Sequence, residues 1–378
     1  MKILFINLPY YGHFIPTVGL VQEIIKQGHQ VTYLMPYDWE DKVMMSGADF
    51  LGYKNHKKLE KQIRNAYFAA IQEIENYDLV IYEQFFFIGK HLAEKYGKPV
   101  VRIFTAPATN GELMDKYINS GGHLGIFRHK WIGRQWTKSV VKDMGIELMT
   151  DCWLDEIIHN EPDVNFVYTM KEFQPYVEDF SPEKYFFLGP SVYGRKETSL
   201  PPIKSDVPII YISFGTIVRG AASFFKTCIE AFKNENVIVV MSVGKSFRIE
   251  KLGALPENFT VKNFIPQILM LKQADVFVTH GGMNSISEAM TFGVPMVVIP
   301  IESDQPVNAE QIVKLGLGKR LDYKGIDGAS LKTAVMSVLN DDRIKQNSAV
   351  MKDAVKNCLG NKGAVRLIEE YYLKSMSI

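Results

Sequence analysis

Between Phe264 and Ala309 the chain reads F-I-P-Q, V-T-H-G-G-M-N-S-I-S-E, F-G-V-P and D-Q-P-V-N-A. His280, Asn284, Ser285 and Glu288 follow the short apolar run Val276 to Thr279. The pattern predicts a strand, a glycine turn containing Gly282, and then a helix. A helix N-terminus collects anions, because its first N–H groups lack partners and its dipole end is positive. Here an imidazole, an amide and a hydroxyl join those N–H groups as donors suited to a diphosphate. Glu288 lies one helical turn further on, where a carboxylate can grip a ribose diol. Asp304 and Gln305 follow the next apolar run, Met296 to Pro300, and suit sugar hydroxyls. These residue types at this spacing describe recognition of a nucleotide sugar.

A second chemical group lies near the start of the chain. His13 follows Gly12 and the first apolar run, just before a helical pattern. It reads either as a polar residue opening the helix or as a base: a neutral imidazole near pH 7 suits removal of a hydroxyl proton. Glu83 ends another apolar run. It is either a solvated carboxylate or the group that holds the second ring nitrogen and fixes its tautomer. Phe85, Phe86 and Phe87 follow directly, and are either core or the wall of an apolar pocket. Ser213, Gly215 and Thr216 close the first strand of a later series and fit a phosphate-cradling turn. Glu302 and Asp304 form E-x-D without a third ligand, and D-x-D is absent, so no metal is expected. G-x-G-x-x-G, Walker A and G-x-S-x-G are also absent, which argues against oxidoreductase, kinase and serine-hydrolase chemistry.

The elements that must position these groups follow from periodicity. Lys2 to Leu8, Gln30 to Met35, Leu79 to Tyr82, Val100 to Phe104, Val164 to Tyr168 and Tyr185 to Leu188 read as strands. Phe14 to Gln27 fits an amphipathic helix closed by Gly28. Gly189 to Val207, with Pro190, Pro201 and Pro202, reads as a linker. A second series follows: Ile209 to Ile212, Val237 to Ser242, Phe259 to Val261, Val276 to Thr279 and Met296 to Ile299. The helix Ala221 to Asn234 repeats apolar residues at i, i+3, i+4, i+7 and i+8, and Gly363 to Lys374 is helical again. This alternation predicts an α/β chain of two doubly wound parallel sheets, with ligands at the C-terminal ends of their strands.

Composition agrees. A chain of 378 residues with 47% apolar content is long enough for two cores. Its formal charge of +1 gives no reason to expect nucleic acid. The three cysteines, Cys152, Cys228 and Cys358, are far apart and form neither a disulfide framework nor a zinc motif, which points to a reducing cytoplasm. No run reaches the roughly 20 apolar residues of a spanning helix.

The chain resembles the inverting GT-B glycosyltransferases, specifically the bacterial macrolide-type branch related to plant secondary-metabolite enzymes. The likeness is carried by Phe264 to Ala309, Tyr211-Ile212-Ser213-Phe214-Gly215-Thr216, Leu188-Gly189-Pro190 and Gly12-His13-Phe14-Ile15-Pro16. The last motif is also similar to lipid-linked GlcNAc transferases. The resemblance implies GT-B architecture: two Rossmann-like domains facing across a cleft, residues 1–195 for the acceptor and 196–360 for the donor, with helix 361–376 packing back on the first. It implies that Phe264 stacks on uracil, with Gln267 in the same motif. His280, Asn284 and Ser285 would hold the diphosphate, Glu288 the ribose, and Asp304 and Gln305 the sugar. His13 would be the base and Glu83 its partner. Two positions depart from the family, which usually has Trp at Phe264 and Asp at Glu83.

The expectation is therefore metal-independent, inverting transfer of a hexose, glucose first, from a UDP-sugar co-substrate to a small hydrophobic acceptor, with no cofactor. Two alternatives stay open. Trp131 and Trp136 lie among Arg128, Lys130, Arg134 and Lys138, which fits peripheral membrane contact and a glycolipid acceptor. The fold also fits a catalytically silent subunit that binds nucleotide sugar.

Overall fold

The computed structural model describes residues 1–192, 199–215 and 222–377. The chain divides into two compact units: Met1–Asn119 with His123–Gly194 and Cys358–Ile378, and Ser120–Gly122 with Arg195–Asn357.

The first unit contains a seven-stranded parallel sheet. Its strands are β1 Lys2–Ile6, β2 Gln30–Pro36, β3 Asp49–Tyr53, β4 Leu79–Glu83, β5 Val100–Phe104, β6 Val164–Val167 and β7 Tyr185–Phe187. Their order is β3-β2-β1-β4-β5-β6-β7. β4 and β5 are buried along their whole length, which is why they read as mainly apolar runs rather than alternating ones, broken only by the buried charges Glu83 and Arg102. The order reverses between β1 and β4, where Ile6 lies beside Tyr82. Connections on the two sides of such a point leave in opposite directions and open a crevice at the strand C-termini.

The helix Gly360–Ser375 belongs to this first unit. Ala364, Val365 and Ile368 are buried in one cluster with Phe14, Leu20 and Ile24. Glu369 lies 2.9 Å from His29 Nε2. The chain reaches this helix past Gly189, where a Cβ would stand 2.6 Å from the Cβ of Cys358.

The second unit carries β8 Ile209–Ser213, β9 Ile238–Ser242, β10 Phe259–Lys262, β11 Val276–Thr279, β12 Met296–Val298 and β13 Gly318–Arg320. The parallel order is β10-β9-β8-β11-β12-β13, so the reversal falls between β8 and β11. Ile210, Ile212, Val239, Val276, Val278 and Val297 supply its sheet core.

Two strands, β3 and β13, have no counterpart in the sequence pattern. Both are sheet edges, and both contain glycine where backbone or ring approaches closely. A Cβ on Gly318 would overlap the Met296 carbonyl, and one on Gly52 would strike the Tyr37 ring. Edge strands half open to solvent need no continuous apolar run, so periodicity does not mark them. The expected boundary between residues 195 and 196 lies outside the described residues.

Candidate active site

In the first unit, four residues separate the end of β1 from the helix Tyr11–Lys26. Buried Asn7 holds that turn. Its Nδ2 donates to the His13 carbonyl at 3.1 Å and to the Tyr33 hydroxyl at 2.9 Å. The His13 ring therefore emerges from the first turn at the C-terminal side of the sheet. Glu83 ends the neighbouring strand β4 and is wholly buried. Nδ1 of His13 lies 2.9 Å from Glu83 Oε1 and 3.0 Å from Thr105 Oγ1. Thr105, one residue past β5, donates its own hydroxyl proton to Glu83 Oε1 at 3.3 Å. The second carboxylate oxygen accepts from the Phe85 N–H at 3.0 Å. A carboxylate can only accept, so Nδ1 carries the ring proton and the basic lone pair resides on Nε2. The His13 side chain is 23% exposed.

The three phenylalanines after Glu83 separate. Tight bonds from Phe86 N to the Glu83 carbonyl and from Gly89 N to the Phe86 carbonyl turn the chain sharply. Phe86 and Phe87 go into the core, so as placed here they do not line a pocket. Phe85 alone stays half-buried, its ring 4.9 Å from that of His13. The ring of Tyr10, 42% exposed, lies 5.6 Å from the imidazole.

In the second unit, Gly281 and Gly282 lead from β11 into the helix Met283–Phe292. Gly281 has φ +87°, and a Cβ there would lie 2.6 Å from Val298 Cγ1. A Cβ on Gly282 would lie 2.7 Å from His280 Nε2. Both glycines are thus required by close approach, and no side chain caps the helix start. Gly215, at φ +63°, follows β8 and packs against the same imidazole, while Ser213 is buried at the strand end. Thr216 lies outside the described residues. His280 is 5% exposed, and its Nδ1 is buried with no hydrogen-bond partner among the described residues. Burial pushes its pKa from 6.5 down to about 4. A neutral imidazole whose Nδ1 has no partner among the described residues thus lies beside a helix start without a side-chain cap.

The remaining expected donor residues divide between ligand-facing and protein-facing positions. Phe264 is 60% exposed, with its ring available for stacking. Asn284 is half-buried at the second position of the helix. Gln267, in contrast, gives its amide to the protein. Its Nε2 donates to Ser285 Oγ at 3.1 Å and to Glu288 Oε2 at 2.8 Å, and its Oε1 accepts from the Tyr211 hydroxyl at 3.3 Å. It orients Ser285 and Glu288. Glu288 is only 1% exposed and lies behind that amide. Gln305 is also turned inward: its Oε1 accepts from the backbone of Ile301 and Glu302. Asp304 precedes the helix Gln305–Lys314 and stays half-buried, next to Ser303, which holds a left-handed φ of 62°. Strain of that kind collects at functional turns.

Two residues complete these sites without a sequence signal of their own. Thr105 joins the His13–Glu83 pair. Fully buried Asn308 donates to both the Gly281 carbonyl and Asp304 Oδ2, at 2.9 and 2.8 Å, tying the glycine turn to the Asp304 loop. A polar residue at the C-terminal end of a strand, as at Thr105, is the hint that could have found the first. Among the described residues no group of three His, Cys, Asp or Glu side chains could hold a metal ion. None of their helices is long and apolar enough to cross a membrane.

Two parallel-sheet α/β units, each with a histidine at its switch point, define the GT-B class. Comparison with known proteins agrees. Residues 229–358 match the family model of the erythromycin biosynthesis protein CIII-like C-terminal domain. The chain is 32% identical to the NDP-glycosyltransferase YjiC of Bacillus subtilis over 98% of its own length and 97% of that protein. It is 30% identical to the uncharacterized UDP-glucosyltransferase YojK of the same organism, covering 98% and 97%. Among solved structures, CalG4, the calicheamicin glycosyltransferase, superposes with a TM-score of 0.84 at 26% identity, covering 98% of both chains. The chain belongs to the bacterial macrolide-type GT-B glycosyltransferases, and it is a nucleotide-sugar-dependent glycosyltransferase.

Proposed function

We propose that the enzyme transfers glucose from UDP-glucose to a hydroxyl of a small hydrophobic acceptor, with inversion, using His13 as base. The observation that carries this reading is the His13–Glu83 contact, which puts the basic lone pair on Nε2 of a partly exposed imidazole. The acceptor O–H gives its proton to Nε2. The oxygen attacks the anomeric carbon from the face opposite the diphosphate, and the bond to the diphosphate oxygen breaks with its electron pair. Glu83 stabilises the imidazolium formed. The departing charge is met by the open N–H groups at the start of the helix Met283–Phe292, with His280 and Asn284 as further donors. These groups supply the stabilisation without a metal. Phe85 and Tyr10 would form the apolar rim next to the base, which favours an aromatic or polyketide acceptor.

UDP-glucose is supported by the position of the Glu288 carboxylate one helical turn beyond the helix start and by the likeness to YojK, a UDP-glucosyltransferase by name; YjiC, an NDP-glycosyltransferase, leaves the nucleotide open. The test is a panel of phenols and aliphatic alcohols incubated with UDP-glucose and read by mass spectrometry. Addition of one hexose to aromatic acceptors is expected. Slow release of UDP with no acceptor modified anywhere in the panel would overturn the acceptor assignment. No UDP release at all would overturn UDP-glucose as the donor.

A second reading rests on Trp131, which is 69% exposed on the helix Lys130–Val141, with Lys130, Arg134 and Lys138 four residues apart along it. That pattern suits an anionic membrane surface and hence a glycolipid acceptor. Co-sedimentation with anionic liposomes distinguishes the two.

A further inference from the structure

We infer that Thr105 is a positioning residue for the base, a role that rests on the reading of His13 as the proton acceptor. Glu83 ends β4, Thr105 follows β5 and His13 lies in the first turn of the helix after β1; these three strands are adjacent, and the three polar groups close a triangle. His13 Nδ1 is 2.9 Å from Glu83 Oε1 and 3.0 Å from Thr105 Oγ1, and Thr105 Oγ1 is 3.3 Å from Glu83 Oε1. The hydroxyl has one proton. With that proton on the carboxylate, its oxygen can only accept from Nδ1–H. Thr105 therefore does two things through other groups. It anchors the ring by a second acceptor, and it holds Oε1 turned toward Nδ1.

The second task has a specific reason here. Glu has one more rotatable bond than Asp, so its carboxylate needs more restraint to present one oxygen at a fixed place. Phe85 N–H fixes Oε2 and Thr105 fixes Oε1, each by one hydrogen bond. Thr105 is buried, so the protein itself must satisfy its hydroxyl, and these contacts do so.

Glu83 and Tyr10 are titratable groups beside the imidazole. The Tyr10 hydroxyl is held above its ordinary range by burial and then by the Glu83 charge, so it stays neutral when the imidazole titrates. Tyr33, linked to the same turn through Asn7, is held neutral by burial. The His13 titration should therefore respond to Thr105 without interference from either phenol. The Thr105–His13 contact is shorter than the Thr105–Glu83 contact. Removing the hydroxyl should thus cost the imidazolium an acceptor more than it strengthens the carboxylate, and the His13 pKa should fall.

The experiment compares wild type, Thr105→Val, Thr105→Ser and His13→Ala, each first shown to retain the wild-type melting transition within a few degrees. Kinetics with UDP-glucose and the best phenol from the panel give kcat, both KM values and the pH profile. The His13 ring is followed separately by 15N NMR titration without substrates. Thr105→Val should lower kcat about tenfold, the worth of roughly one hydrogen bond. It should leave the donor KM within twofold, and move the acid limb of kcat/KM and the NMR titration to lower pH together. Thr105→Ser should restore all three. If Thr105→Val raises the donor KM with kcat intact, the hydroxyl serves the donor and the inference is wrong. It is also wrong if the NMR titration does not move, or if serine fails to rescue. Full activity in His13→Ala would instead remove the base reading, while the NMR titrations would still report whether Thr105 orients the ring. Should Thr105→Val fail to fold, Thr105→Ala replaces it in every measurement.

Discussion

Each unit places a histidine beside the reversal in strand order of its sheet, and the two are treated in opposite ways. His13 follows β1 and His280 follows β11. His13 is partly exposed and has a buried carboxylate on Nδ1. His280 is buried, with Nδ1 lacking a partner among the described residues, and its pKa is pushed down to about 4. The carboxylate on Nδ1 fixes the first ring's tautomer and leaves Nε2 as the proton acceptor, which suits proton transfer. Burial without a counter-charge makes the second a neutral donor, which suits hydrogen bonding to an anion without moving a proton. The same side chain on the same kind of strand end thus takes its role from one neighbouring group.

The sharpest way to break that contrast is to delete each ring. His13→Ala should lower kcat by about 10²–10⁴-fold, the range for a positioned general base, with donor affinity almost unchanged. An acidic phenol should lose less rate than an aliphatic alcohol, because it sheds its proton without help. Glu83→Gln should follow the same pattern with a smaller loss. His280→Ala should instead weaken UDP binding in calorimetry. If His13→Ala weakened UDP binding and His280→Ala left it intact, the assignment of the two rings would be reversed.

Stability against pH sharpens the comparison next. Unfolded His280 takes up a proton below its ordinary 6.5, but the native ring does not until about 4. The unfolded state therefore binds more protons in that window, and stability falls as pH drops from 6.5 to 4. The loss is up to about 3 kcal/mol and levels off below the window. In His280→Gln the urea midpoints at pH 7 and pH 4.5 should lie closer together than in wild type; an unchanged difference between them would contradict the buried neutral ring.

A smaller effect concerns the base-binding end of the second site. UDP should bind more tightly than dTDP by about 1–3 kcal/mol, because a deoxyribose leaves part of the Glu288 carboxylate unpaired. Glu288→Ala should erase the preference, and Gln267→Ala should reduce it, since Gln267 holds Oε2 in place. Tighter dTDP binding in competition calorimetry would rule out the ribose role. The smallest effect is that of chelation. With helix N–H groups as the phosphate donors, EDTA should leave turnover within twofold, and a collapse restored by magnesium or manganese would require a metal in the donor site.

Much of this was open to reading from the chain because the informative patterns are local. The T-H-G-G-M-N-S-I-S-E stretch carries its own strand, glycine turn and helix start, so its anion-binding chemistry follows from adjacent residues. His13 and Glu83 were readable as candidates because each ends an apolar run. Phe85, Phe86 and Phe87 were not separable. Three identical residues in sequence differ only in how one tight turn after β4 points them, and only Phe85 meets His13. Gln267 and Gln305 could not be oriented from the sequence for a related reason. An amide beside a sugar motif suits either a ligand or the backbone, and here Gln267 is spent on Ser285 and Glu288, Gln305 on its own loop.

What the sequence determined by itself is therefore the alternation of buried strands and helices and the chemistry of each strand end. Both depend on neighbours a few residues apart, through backbone hydrogen bonding and helix dipoles. What only the tertiary structure decided is which ends meet. His13, Glu83 and Thr105 end or follow three separate strands and are joined only because β1, β4 and β5 lie side by side in the sheet. Asn308 reaches Gly281, and Gln267 reaches Glu288, by the same kind of crossing. A hydrogen bond between side chains far apart in sequence depends on where the fold brings them, and a buried group must find its partner there because water is excluded.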